Sequence, residues 1–363
     1  MVRKEVKMHK KLFIPGPTEV REDILKAQTA YMIGHRSSEF SDLYVGIVNK
    51  LKKALNTKNY AMVFTSSGTG LMEGAIRNCV DKKVLCCTNG AFSERWAKIA
   101  QACDKEVDTI SLEWGKAIKP EMIEEKLKTG KYEAMTLVHN ETSTGVRAPI
   151  EEIAEVMKRY PDVLWLVDTV SSLMGDRIEI DKLGIDVCLS SSQKCFALPP
   201  GLAVITLTER VFEKAKTVKG RGYYFDFITM RKYFDERKQT TTTPGISLMQ
   251  AMDRQLDRIL EEGMENRYKR HLDMAEYTRD WARRYFDLFA EKGYESVTVT
   301  TIKNTRNISV KDLIGELGKR GFSISNGYGK LKEQTFRIAH MGDLTLTELK
   351  ELIENINEIL GLK

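Results

Sequence analysis

Short apolar runs and amphipathic stretches alternate along the middle of this chain. The runs cover residues 60–65, 84–88, 107–112, 134–139, 164–168, 187–190 and 202–207, and apolar positions recur at helical spacing over 70–79, 92–102, 120–128 and 150–160. Nearly continuous apolar strands between amphipathic helices predict an α/β fold with a mostly parallel, seven-stranded sheet covered on both faces. After Pro244-Gly245 the pattern changes. Ile246, Met249, Met252, Leu256, Ile259 and Leu260 fall on one helical face, so a long helix starts there. Strands follow over 294–300 and 335–340, and helices over 310–320 and 346–360. This pattern divides the chain into a large domain, 21–254, and a smaller α+β domain, 255–363, with the segment 1–20 packing on the latter.

Composition narrows the class without naming it. Hydrophobic residues make up 42% and charged residues 30% of 363, as in ordinary globular proteins. A net charge of +6 comes from 57 basic and 51 acidic residues that are spread out, which disfavours nucleic-acid binding. No apolar stretch approaches the roughly 18–20 residues of a membrane span. The basic N-terminus, residues 1–11, has no signal-like apolar segment behind it and is read as the frayed leader of a cytoplasmic protein. The six cysteines show no C-x-x-C spacing and no neighbouring histidine pair, so neither a metal site nor a disulfide framework is expected. Cys195 is either a reactive thiol beside Lys194 or a packing residue, with packing preferred.

The candidate chemistry gathers where the predicted strands end, the place where open α/β sheets bind ligands. Lys194 follows the run ending in Ser190-Ser-Ser192 and precedes the Pro199-Pro-Gly201 turn. Asp168 closes the run that begins at Leu164. An amine and a carboxylate held at strand ends suit Schiff-base chemistry on a pyridine cofactor. Asp168 could hold a proton on the ring nitrogen, or it could be a turn aspartate. The Ser66-Ser-Gly-Thr-Gly70 turn opens a helix and suits a phosphate, although many strand-to-helix turns are rich in Gly and Ser. Phe92 could stack on a flat ring, or it could share the buried stripe of its helix with Trp96. In the stretch His139–Gly145, hydroxyls such as that of Thr142 could face a cofactor or substrate, or simply form a polar turn; His139 is read as structural. Arg337, the single charged residue of its predicted strand, suits bidentate capture of a carboxylate, the alternative being an edge arginine facing water.

These residues resemble a family. Phe13-Ile-Pro-Gly-Pro-Thr-Glu19, Ile33-Gly-His-Arg-Ser37, Thr65–Gly70, His139–Gly145, Val167-Asp-Thr-Val-Ser171, Ser191-Ser-Gln-Lys194 and Thr335-Phe-Arg-Ile338 are similar, in order and over nearly the whole chain, to the class V aminotransferases. The nearest branch is the alanine–glyoxylate and serine–pyruvate (serine–glyoxylate) group, which includes some aspartate transaminases. The resemblance implies a fold-type I enzyme using pyridoxal 5'-phosphate, working as a homodimer with active sites at the subunit interface. It makes Lys194 the Schiff-base lysine and Asp168 the partner of the pyridine nitrogen. Ser67, Gly68, Thr69 and Gln193 match phosphate-side positions, Thr142 a hydroxyl near the ring oxygen and the substrate, and Val170 the ring face opposite Phe92. Arg337 and Gly16 match the substrate side. Two departures stand out: Phe92 replaces a frequent Trp, and Gln239 stands where relatives can carry a phosphate-binding Tyr. The loop 239–244 is expected to reach the neighbouring subunit, with Thr242 keeping its hydroxyl there. Arg36 is either a second substrate cation or a structural contact.

The resemblance thus implies a ping-pong transamination between a small L-amino acid (alanine, serine or aspartate) and glyoxylate, pyruvate or 2-oxoglutarate. Lys194 would form the Schiff base and then move the Cα proton. Three alternatives compete. A class V lyase or desulfurase needs a cysteine on a mobile loop, a nucleotide-binding oxidoreductase lacks its G-x-G-x-x-G here, and a non-catalytic relative would have little reason to keep Lys194, Asp168 and Arg337 together.

Overall fold

The computed structural model describes residues 9–363, so the first eight residues of the basic leader lie outside it. Seven strands, β1 (Tyr60–Thr65), β2 (Lys83–Thr88), β3 (Glu106–Ser111), β4 (Ala134–Val138), β5 (Leu164–Asp168), β6 (Val187–Ser191) and β7 (Leu202–Leu207), form one sheet in the order β1-β7-β6-β5-β4-β2-β3. The run from β6 to β3 is parallel, and β7 is antiparallel to both of its neighbours. Every residue of β4, β5, β6 and β7 is buried. Strands without a water-facing side require cover on both faces, which is why they read as unbroken apolar runs rather than alternating ones.

A second, four-stranded antiparallel sheet joins Asp287–Leu288, Val299–Lys303, Thr335–Ala339 and Ser325–Asn326 in that order. The strand Thr335–Ala339 is internal, and Arg337 pairs with Thr301 on one side and Ser325 on the other. Arg337 is therefore not an edge arginine facing water. The N-terminal strand Lys11–Leu12 runs parallel to Phe322–Ser323, and Phe13 lies buried with Ile302, Phe336 and Ile338 in a cluster separate from that of the large sheet.

Several elements depart from what periodicity predicts. The helix Ser38–Ala54 is not among the predicted elements, yet Phe40, Tyr44, Ile47, Val48 and Leu51 form a buried stripe behind an N-cap at Ser37. The long helix after Gly245 ends at Glu262, because Gly263 takes φ +77, and a second helix follows over Met264–Tyr285. Leu256 and Ile259 still pack with the large sheet, whereas Met274 and Trp281 pack with the small one. The strand expected over 294–300 begins only at Val299: Ser296 Oγ accepts the N–H groups of Thr298 (3.1 Å) and Val299 (3.2 Å) and holds the preceding segment in a turn. Among the described residues no helix is long and apolar enough to cross a membrane.

Candidate active site

The carboxyl ends of β4, β5 and β6 meet the N-terminal segment and the small sheet at one place. β5 delivers Asp168, 3% exposed, whose Oδ1 accepts the Val170 N–H at 2.6 Å. Burial pushes its carboxyl up to about 7 against the pull of that N–H; Glu141 adds to the rise, and Lys194 and Arg95 oppose it. Beyond β6, the Lys194 amine donates to the Pro15 carbonyl. Its loop is pinned by Thr18, whose N–H donates to the Gln193 carbonyl (3.1 Å) and whose hydroxyl donates to the Lys194 carbonyl (3.0 Å). Burial lowers the Lys194 ammonium to about 8, with Arg337 and Arg95 assisting and Asp168 opposing. Gly16, at φ +109, leaves room for this amine: a Cβ there would stand 2.5 Å from Lys194 Nζ.

The helix Gly68–Cys79 starts beside the same group. Ser67 occupies the N-cap in extended conformation without using its side chain, so the amides of Gly68 and Thr69 receive no cap from it. A Cβ on Gly68 would lie 2.6 Å from Val170 Cγ2 and 3.6 Å from Ser191 Oγ. Ser191 Oγ and Gln193 Oε1 are buried with no hydrogen-bond partner among the described residues. A small-residue cradle beside orphaned polar atoms is the signature of a polar ligand site.

Phe92 sits in the first turn of the helix Ala91–Ala102, whose N-cap, Gly90, offers no side chain. A fully buried carboxylate, Glu141, caps the turn instead, accepting from Phe92 N (3.1 Å), Ser93 N (2.9 Å), Ser93 Oγ (3.0 Å) and Ser143 Oγ (2.6 Å). Thr142, next in sequence, donates its hydroxyl to Ser171 Oγ at 2.8 Å and offers its carbonyl to Arg337 Nη1 at 3.2 Å. Arg337 Nε also reaches the Asn326 carbonyl at 3.1 Å, and burial lowers its guanidinium to about 10. Tyr328 joins the two halves, its ring 5.4 Å from that of Phe92 and 5.6 Å from the Arg337 guanidinium.

Gly16, Ser67, Gly68, Thr69, Phe92, Thr142, Asp168, Val170, Gln193, Lys194 and Arg337 thus surround one region. Gln239 and Thr242 do not touch it within the chain. Gln239 donates to Ser41 Oγ at 3.4 Å, and Arg36 binds the carbonyls of Thr240 (2.6 Å) and Thr241 (3.1 Å). His139 is wholly buried, pairs with Ser172 Oγ at 2.8 Å, and is pushed by burial down to about 3, so it is a neutral structural ring. Cys195 is buried and its thiol is pushed up to about 12, as a packing residue requires. Sequence reasoning missed Glu141, Arg95 and Tyr328. For Glu141 one signal was readable: a helix opening on Asn89-Gly90 has no cap of its own and must borrow one.

A parallel sheet with an amine and a carboxylic acid at adjacent strand ends, a small-residue helix turn and an inward arginine define the architecture of the pyridoxal-phosphate-dependent transferases. The comparisons narrow this further. The family described as aminotransferase class-V matches residues 14–331, and the chain belongs to it. An uncharacterized aminotransferase of Methanocaldococcus jannaschii is 44% identical over 339 residues, covering 92% of this chain and 88% of that one. A serine–glyoxylate aminotransferase of Methylorubrum extorquens is 32% identical over 354 residues, covering 92% and 86%. Among solved structures, the alanine–glyoxylate aminotransferase of Nostoc sp. superposes with a TM-score of 0.93 at 30% identity, covering 99% and 97%. The family implies pyridoxal 5'-phosphate, and the residues fit it. The uncapped turn and the orphaned Ser191 and Gln193 suit its phosphate side, and the buried acid and the amine of lowered pKa suit its ring and its aldehyde.

Proposed function

We propose that this aminotransferase moves the amino group of a small L-amino acid (alanine, serine or aspartate) to a 2-oxo acid (glyoxylate, pyruvate or 2-oxoglutarate) by a ping-pong cycle. The observation that carries the reading is the gathering of Lys194, Asp168 and Arg337 from three separate elements: Asp168 ends the strand paired with the one that leads to Lys194, and Arg337 reaches from the small sheet to the Thr142 carbonyl. Bound there, pyridoxal phosphate supplies an electron sink for the pair left at the donor's Cα. Ser67, Gly68, Thr69 and Gln193 hold its phosphate side, Phe92 and Val170 its two ring faces, and Thr142 its ring oxygen. Asp168 keeps a proton at the ring nitrogen. Lys194, with an amine that is partly neutral near pH 7, takes the proton from Cα and returns it on the other stroke. Arg337 grips the substrate carboxylate and Gly16 lets the substrate approach; fixing the carboxylate turns the Cα–H bond toward Lys194.

The assembly belongs to the same reading: a cytoplasmic homodimer in which the loop 239–244, with Gln239 and Thr242, serves the neighbouring subunit's site. Exposed apolar side chains, Tyr31 (96%), Met32 (67%) and Tyr223 (80%), support a surface covered by a second copy. A desulfurase reading is disfavoured by six cysteines that are all buried. The test is a panel of donors and acceptors with the purified protein. Visible absorbance should bleach on adding a donor and return with an acceptor. Lys194→Ala should lose turnover by roughly 10²–10⁴-fold or more; wild-type turnover in that variant would defeat the assignment.

A further inference from the structure

We propose that Arg95, together with Tyr328, forms a second anion-reading position across the site from Arg337, so that the favoured substrates are dicarboxylic amino acids and their 2-oxo acids. This rests on the transaminase reading above and narrows its substrate class. Arg95 is half-buried, and among the described residues its contacts are all weak ones. Nη1 lies 3.4 Å from Thr69 Oγ1, Nη2 lies 3.5 Å from the Tyr328 hydroxyl, and the guanidinium stands 4.9 Å over the Phe92 ring. Both hydrogen bonds are at the outer limit of length, so most of its five N–H donors are unspent.

Several other partly or fully buried arginines have acids: Arg267 has Glu262 and Asp343, Arg147 has Asp176 and Arg77 has Glu73, while Arg279 is held by the Glu295 and Ser296 carbonyls; among the described residues Arg95 has neither kind of strong partner. The acids nearest Arg95 are committed to other groups. Glu94 accepts from Trp114 Nε1 at 2.7 Å, Glu141 caps the helix, and Asp168 holds the Val170 N–H. Among the described residues Arg337 likewise binds two carbonyls and no carboxylate. Two acid-free guanidiniums therefore flank one phenol ring, Arg337 against its face and Arg95 at its hydroxyl. With Arg337 on the α-carboxylate, the unspent donors of Arg95, on the same phenol ring, are left for a second carboxylate of the substrate. Arg36, the other candidate cation, already donates to the Thr240 and Thr241 carbonyls.

The experiment uses the holoenzyme. Half-reaction kcat/KM is measured for L-aspartate, L-glutamate and L-alanine, and calorimetry compares binding of succinate with that of butyrate. The wild type should prefer a dicarboxylic donor and bind succinate at least tenfold tighter. Arg95→Gln should lower the aspartate-to-alanine ratio of kcat/KM by about 10- to 100-fold, the scale of a lost charged hydrogen-bond pair. Arg95→Lys should restore part of that ratio, and Tyr328→Phe should lower it by less than Arg95→Gln does. A wild type preferring alanine or serine overturns the proposal. So does an Arg95→Gln protein that slows all donors equally, as a mere strut for Phe92 would, or one that loses cofactor with the ratio intact. Failure of every donor to bleach the wild type would instead sink the transaminase reading, and the succinate comparison would still judge Arg95.

Discussion

Asp168 sets a pH dependence that one substitution should remove. In the cofactor-free protein its carboxyl is raised from the ordinary 3.8 to about 7, chiefly by burial. Between those values the native state keeps a proton that the unfolded chain has released. The stability this group contributes is complete below about pH 3.8 and is lost as pH rises through about 7. At about 1.4 kcal/mol per pH unit in that window, the loss between pH 5 and pH 7.5 comes to roughly 2–3 kcal/mol. Asp168→Asn removes the titration. Its amide oxygen can still accept the Val170 N–H, and its NH₂ group takes the place of the oxygen that makes no hydrogen bond among the described residues, so any cost of the change does not vary with pH. The quantity to compare is therefore the change in urea-unfolding free energy between the two pH values, wild type against variant, with cofactor removed. Contributions from groups that titrate alike in both proteins cancel in that difference. The wild type should lose roughly 2–3 kcal/mol more than the variant over this range. Equal pH slopes in the two proteins would refute the claim that the acid is held against its preference by burial.

Three further outcomes follow from the same geometry. In cofactor-free protein, Lys194 should be labelled by an amine reagent with a midpoint near pH 8 rather than the ordinary 10.5, read by peptide mapping across pH. Glu141→Gln keeps shape but turns an NH₂ group toward the N–H of Ser93 or Ser143. It should cost about 3 kcal/mol in denaturant unfolding and weaken cofactor binding through Phe92, whereas a cost below about 0.5 would refute the capping role. Gly68→Ala should cost about 1–3 kcal/mol because its new methyl meets Val170 Cγ2, with Val170→Ala recovering part of the loss; an unchanged or raised stability in Gly68→Ala would contradict the close approach.

The chain's linear pattern determined the α/β class, the seven strands of the large sheet and the positions of Lys194 and Asp168 at strand ends. It could do so because strands buried on both faces must be apolar throughout, and because a polar residue ending such a run emerges at the rim where ligands bind. Only the tertiary structure decided the rest. Ser296 delays a strand by capturing two backbone N–H groups, Gly263 splits a helix whose apolar stripe runs almost to the break, and Glu141 caps the helix that begins far back along the chain at Ala91. The meeting of Arg95 with Tyr328 and Arg337 was also unreadable in one dimension, since Arg95 lies on a helix of the large domain and the other two lie on or beside paired strands of the small sheet, 233 residues from Arg95 to Tyr328. Local sequence encodes periodicity and turn chemistry. Which charge is left without a partner depends on what folding brings within reach of it.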